Sequence, residues 1–139
     1  MKKYSIDMET VEMNTIDSFL MKHIETVWKI ISIYERRATY RSKRLASWVP
    51  GGGNAYDVSC EMAAEVITVE TGIRFEYSHE DFGADWPYSY ISMASLLPWE
   101  QTEKEKQLSK EEYETILASY ATELGLTYST ETHMVQPWT

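Results

Sequence analysis

The chain has 139 residues, 43% of them hydrophobic and 25% charged, which excludes wholesale disorder and matches the length of one domain, 1–139, rather than two. Thirteen Lys and Arg against 22 Asp and Glu give a net charge of −9, so nucleic acid and anionic membrane repel the chain and a basic partner suits it better. Cys60 is the single cysteine, which removes any intrachain disulfide and favours a reducing, cytoplasmic setting.

Tyr4, Ile6 and Met8 alternate with Ser5, Asp7 and Glu9, the period of two that predicts a short strand. Asp7, Glu9 and Glu12 interrupt the apolar run that a signal peptide would need, so the start reads as mature sequence. No stretch approaches the roughly 18 to 20 apolar residues that span a bilayer, so no membrane contact is expected. From a cap at Asn14 or Thr15, the residues Ile16, Phe19, Leu20, Ile24, Val27, Trp28, Ile31 and Tyr34 recur at helical spacing. Nothing obvious breaks the chain before the glycine-rich hinge at 50–54, so the sequence predicts a long first helix over about 15–47. Such a helix would be roughly 48 Å long. A domain of this size has a radius of gyration of about 14 Å, so the helix must bend, break near Tyr40, or project and favour a homodimer.

The body over 55–139 follows. Val58, Met62, Val66 and Val69 predict a helix stopped by Gly72, and Ile73, Phe75 and Tyr77 alternate as a strand. Asp85 and Pro87 predict the start of a short helix running to about Leu97, with Glu100 to Gln107 as a solvated connection. Ser109 and Glu112 form a capping box before Tyr113, Ile116, Leu117, Tyr120 and Leu124, Gly125 ends that helix, and Leu126, Tyr128, Thr130 and Met134 alternate. The joints Glu70-Thr71-Gly72-Ile73 and Glu123-Leu124-Gly125-Leu126 look alike, as any two helix-to-strand turns through glycine do. The whole predicts an α+β fold: a small, about three-stranded antiparallel sheet packed by the long N-terminal helix and two or three others.

Charge is the most polarised feature. Arg36, Arg37, Arg41, Lys43 and Arg44 lie within nine residues without an acid, whereas residues 49–139 carry four bases against sixteen acids. On a continuous helix Arg37, Arg41 and Arg44 share one face, between Tyr34 and Trp48. That face suits a nucleotide or nucleic acid, or it docks on the acidic remainder of its own or a twin chain. The acidic half suggests a different surface. Surface carboxylates at Glu76, Glu80, Asp81, Asp85, Glu100, Glu103 and Glu105, interleaved with Phe82, Trp86, Tyr88 and Trp99, combine steering charge with aromatic anchors that would engage a basic, nucleic-acid-handling protein. Small inhibitory proteins of phages and mobile elements often have this acidic, aromatic, motif-poor composition, a similarity of general type without diagnostic residues.

No motif fixes a reaction, a cofactor or a metal. His79, Glu80, Asp81, Asp85 and His133 match no metal-ligand spacing, and they are the first suspects if an acid-base site is assembled from distant residues. His23 reads as a half-buried, hydrogen-bonded histidine and Cys60 as a buried apolar thiol. Gly51-Gly52-Gly53 lacks the Lys-Ser/Thr of a phosphate loop. The sequence therefore predicts a non-enzymatic protein that binds a macromolecule, plausibly as an inhibitor or regulator, with nucleotide or nucleic-acid binding through 36–44 as the alternative and an enzyme with a non-linear acid-base site as the second.

Overall fold

The computed structural model describes residues 3–79, 89–94, 97–126 and 134–135. Its order is β1 (Lys3–Tyr4), β2 (Ile6–Asp7), α1 (Met13–Lys22), α2 (Ile24–Tyr34), α3 (Tyr40–Ala46), α4 (Tyr56–Thr71), β3 (Phe75–His79) and β4 (Ser89–Met93). A 3-10 turn at Pro98–Glu100, α5 (Glu103–Lys106), α6 (Lys110–Glu123) and β5 (Met134–Val135) complete it. The fold is α+β, with a three-stranded antiparallel sheet in the order β2-β4-β3 and a separate antiparallel pair of β1 with β5.

The long first helix is three helices. His23 leaves helical geometry at φ −107° and ψ 28°, separating α1 from α2, and Thr39 starts α3 by accepting a hydrogen bond from the Ser42 N–H at 3.1 Å. The reason for folding back is burial: Leu45 and Trp48 are 0% and 2% exposed, whereas a straight helix would have carried them into solvent. The chain does not project there, so the argument for a dimer through an extended helix lapses. The first cap also moves, from Asn14 or Thr15 to Glu12, which caps with its backbone alone.

The central helix is α4, which packs against α1, α2, α3 and β3. Met62, Ala63, Val66 and Ile67 on α4 join Ile16, Phe19, Val27, Ile30, Ile73, Ile91 and Leu117 in one buried cluster. Gly72, at φ 75°, closes α4 in the left-handed conformation that glycine adopts without strain, and its N–H bonds Thr68 O at 2.9 Å. Ser109 and Glu112 cap α6 reciprocally, as their spacing predicts.

Two expectations change. Residues 89–93 are a strand and not part of a helix from Pro87 to Leu97: β4 is the middle strand, and Ser89, Tyr90, Ile91 and Ser92 are all buried, so covering both faces erased the alternation that marks a strand. Residues 100–107 are folded onto the body, with Glu105 buried. Residues 127–133 of the last predicted strand, His133 included, lie outside the described residues.

Candidate functional site

The basic segment is largely committed within the chain. Asp57, Glu61 and Glu65 recur every four residues on α4 and so line one flank of it. Arg44 donates to Asp57 at 2.6 Å and to Glu61 at 3.3 Å, and Arg41 donates to Glu65 at 2.8 Å, which docks α3 on that flank. Arg37 lies between α2 and α3 and places its guanidinium 4.8 Å from the centre of the Tyr34 ring. The predicted single face of Arg37, Arg41 and Arg44 on one helix is therefore divided. Tyr34 and Trp48, the aromatics at its two ends, are buried, and the Trp48 indole donates to Ser59 at 3.2 Å. Arg36 and Lys43 remain exposed without an ion-pair partner among the described residues.

A second guanidinium organises the acidic half. Arg74, just before β3, meets Glu105 on the one-turn helix α5: Nη2 to Oε1 at 2.8 Å, Nε to Oε2 at 3.1 Å, and the Arg74 backbone N–H to Oε2 at 2.9 Å. The Thr102 N–H adds a bond to Oε1 at 2.8 Å, completing a capping box. The Arg74 guanidinium, aided by these backbone N–H groups, holds the Glu105 carboxyl down at about 2. Arg74 Nη2 also donates to the carbonyl of Glu100, and Lys104 Nζ donates to the Thr71 carbonyl at the end of α4. Segment 98–106 is thereby pinned to the joint between α4 and β3.

That pinned segment presents apolar side chains to solvent. Leu97 and Trp99, 51% and 78% exposed, stand on the 3-10 turn beside the exposed carboxylates of Glu100 and Glu103. The turn is closed by the Glu100 N–H on Leu97 O at 2.9 Å and by the Leu97 N–H on Glu100 Oε1 at 3.1 Å. Of the predicted acidic and aromatic set the structure places Trp99, Glu76, Glu100 and Glu103 in solvent and buries Glu105. Glu80, Asp81, Phe82, Asp85, Trp86 and Tyr88 lie outside the described residues.

A third polar cluster sits where α1, α2, α4 and α6 meet. His23 Nδ1 lies 2.7 Å from Glu70 Oε2 and its Nε2 lies 2.7 Å from Glu123 Oε1, so the ring bridges two carboxylates as an imidazolium. Thr26 Oγ1 and the Tyr120 hydroxyl donate to the same Glu70 at 2.8 and 2.9 Å. Burial disfavours the charged ring, but the bonds to Glu123 and Glu70 and their charges overcome it and raise the His23 pKa. Burial likewise opposes ionisation of Glu70, and the Thr26, His23 and Tyr120 bonds reverse that and lower its pKa. The cluster is a structural joint, in line with the half-buried, hydrogen-bonded reading of this histidine.

Little in the described residues supports catalysis. Cys60 is fully buried and burial pushes its thiol up to about 12, which makes it inert at neutral pH. His79 Nδ1 lies 2.9 Å from Ser89 Oγ across the β3–β4 ladder, and no group of three metal-ligating side chains occurs among the described residues. No helix among them is long and apolar enough to cross a membrane. Sequence reasoning missed Arg74 and Leu97 and took Glu105 for a surface carboxylate, whereas the Arg74 and Thr102 donors draw it into the body; Thr102 and Glu105 stand at capping-box spacing and Asp57, Glu61 and Glu65 at the spacing of an acidic helix flank.

Known protein families, curated proteins and solved structures offer no significant match to this chain.

Proposed function

We propose that this is a small acidic, non-enzymatic protein that binds a basic surface of another protein in the cytoplasm, acting as an inhibitor or regulator of a nucleic-acid-handling target of the phage or mobile-element type. The observation that carries the reading is the Leu97–Trp99 turn. Large apolar side chains left in water on a segment held by a buried carboxylate and its four donors lose little freedom on binding, which is what an interface anchor requires. Exposed carboxylates beside Trp99 and a net charge of −9 would steer a basic partner toward it. The nucleic-acid alternative is weakened, because Arg41 and Arg44 are bonded to α4 and only Arg36, Arg37 and Lys43 remain to meet phosphate.

The test places a photo-crosslinking residue at position 99 of the full chain in its native host. The expected product is a 1:1 adduct with one basic protein, suppressed by raised salt and by Glu100→Lys with Glu103→Lys. Adducts no stronger than those from an exposed control position, Lys29, would overturn the reading. Nucleic acid as the main adduct would return the function to the basic segment.

A further inference from the structure

The register of the sheet shows which backbone groups are spent and which are left over. The Ala94 N–H bonds Arg74 O at 2.8 Å, so Arg74 and Ala94 form a hydrogen-bonded pair of the antiparallel ladder. Alternation then makes Glu76 with Ser92 and Ser78 with Tyr90 the next such pairs. Independently, the Met8 N–H bonds Ser89 O at 2.8 Å, which turns Ser89 and Ile91 toward β2 and away from β3. Phe75, Tyr77 and His79 therefore direct their N–H and C=O groups to the outer edge of β3, the end strand of the sheet. At Phe75 that edge is closed by Thr68, whose Oγ1 accepts from the Phe75 N–H at 2.9 Å and donates to Phe75 O at 3.2 Å. No comparable cap occurs at Tyr77 or His79 among the described residues.

Two clefts, of about 560 and 480 Å³, open beside α4 and share Tyr77 and Glu61; the smaller follows the β3 edge past Thr68, Phe75, Glu76 and Tyr77, and the larger runs from Tyr77 and His79 beneath Tyr56 toward Ser89 and Glu9. Glu61, Glu65 and Glu76 line the smaller cleft with Arg41 and Arg74, and Glu9, Asp57 and Glu61 the larger; Asp57, Glu61 and Glu65 face Arg41 and Arg44, while Glu9 and Glu76 have no ion-pair partner among the described residues. Arg74, which lines the smaller cleft, is also the residue that holds the Trp99 turn.

From the Tyr77 and His79 edge, unpaired among the described residues and bordered by these acidic clefts, we infer that β3 takes up an extended, lysine- or arginine-rich segment of the partner as a fourth strand. Backbone bonds to Tyr77 and His79 supply the attachment, and the carboxylates select positive charge on the alternate side chains that face them. This inference rests on the proposed basic protein partner and names the surface that takes it.

The test uses the full chain and a synthetic eight-residue peptide alternating lysine with valine, amidated at its end, followed by amide hydrogen exchange and backbone NMR shifts. The expected result is protection of the Tyr77 and His79 amides, with affinity falling at least about tenfold when alternate peptide nitrogens are methylated, which removes bonds but not charge. Glu76→Lys, at an exposed position, should weaken binding about fivefold, and a threonine-valine peptide should bind more weakly still. Equal binding of the methylated peptide, equal binding of the neutral peptide, or no protection at Tyr77 each overturns the inference. Protection in the free protein that grows with its own concentration overturns it too, and identifies a second copy as the occupant. Because the crosslink from position 99 reports the partner independently, a silent β3 edge beside a persistent adduct sinks only this inference, and loss of the adduct sinks the reading beneath it.

Discussion

Arg44 and Arg74 both join a basic side chain to carboxylates of a neighbouring element, yet their surroundings differ. Arg44 reaches an Asp57 side chain that is 52% exposed, whereas Arg74 closes on a Glu105 side chain that is 2% exposed. In the first case water and salt compete for both partners and the net gain is small. In the second, the carboxylate has given up its hydration and holds four bonds from Arg74 and Thr102 instead, so removing any part leaves a buried charge or an orphaned N–H. The α3–α4 contact is an adjustable dock; the Arg74–Glu105 contact sets the position of segment 98–106. The difference teaches that the conspicuous charge run at 36–44 is a weaker determinant of structure than one glutamate that no charge pattern singles out.

The sharpest way to break the comparison is at Glu105. Glu105→Ala should cost about 3 kcal/mol, read as a lower denaturation midpoint at unchanged slope, and should loosen the Leu97–Trp99 turn. A loss below about 1 kcal/mol would place Glu105 in the same class as Asp57. Its folded pKa of about 2, below the ordinary 4.5, means the stabilisation is complete above pH 4.5 and is lost as pH falls through about 2.

The His23 cluster should show a smaller effect with an opposite branch. A raised histidine pKa gives stability that is full below 6.5 and lost as pH rises through the folded value, while the lowered Glu70 pKa gives stability that is full above 4.5 and lost in acid. The joint should therefore contribute most between about pH 4.5 and 6.5, and His23→Ala should remove about 2 kcal/mol at pH 6 and flatten the alkaline fall. A stability profile for His23→Ala parallel to that of the parent chain would show that the bridge does not act as an imidazolium.

At the dock, Arg41→Ala and Arg44→Ala should each cost about 0.5 kcal/mol, roughly halved in 1 M salt, with the fold unchanged by circular dichroism. A cost insensitive to salt would mean that the packing of the side-chain stems, and not the charge, holds α3. Trp99→Ala should change stability by less than about 0.5 kcal/mol while losing the partner adduct, and a marked loss of stability would mean that Trp99 is packed rather than presented.

Local rules on the page of residues carried much of this fold. The glycine after α4, the Ser109–Glu112 box and the alternation of Phe75 and Tyr77 each act within a few residues of themselves, so the α+β class, both cited helices and β3 were legible. Thr39 carried a signal too, since threonine before Tyr40 can cap a helix, but with no Gly or Pro before the hinge at 50–54 the break near Tyr40 stayed one option among three. Of the candidate site, the sequence offered Trp99 as an aromatic among acids and the basic run as a face that docks on its own acidic remainder. It could not say that Trp99 stands exposed while Trp48 is buried, because composition does not distinguish the two.

By itself, then, the sequence determined the periodicity, the stops, the absence of a disulfide and the excess of negative charge, all of which depend on neighbours along the chain or on counting. Only the tertiary structure decided where the first helix breaks, that 89–93 runs as a central strand, and that Arg74 pairs with a glutamate 31 residues away. These depend on burial: Leu45 and Trp48 leave water only if the helix folds back, β4 loses its alternation only when both faces are covered, and a carboxylate is buried only where four donors converge on it.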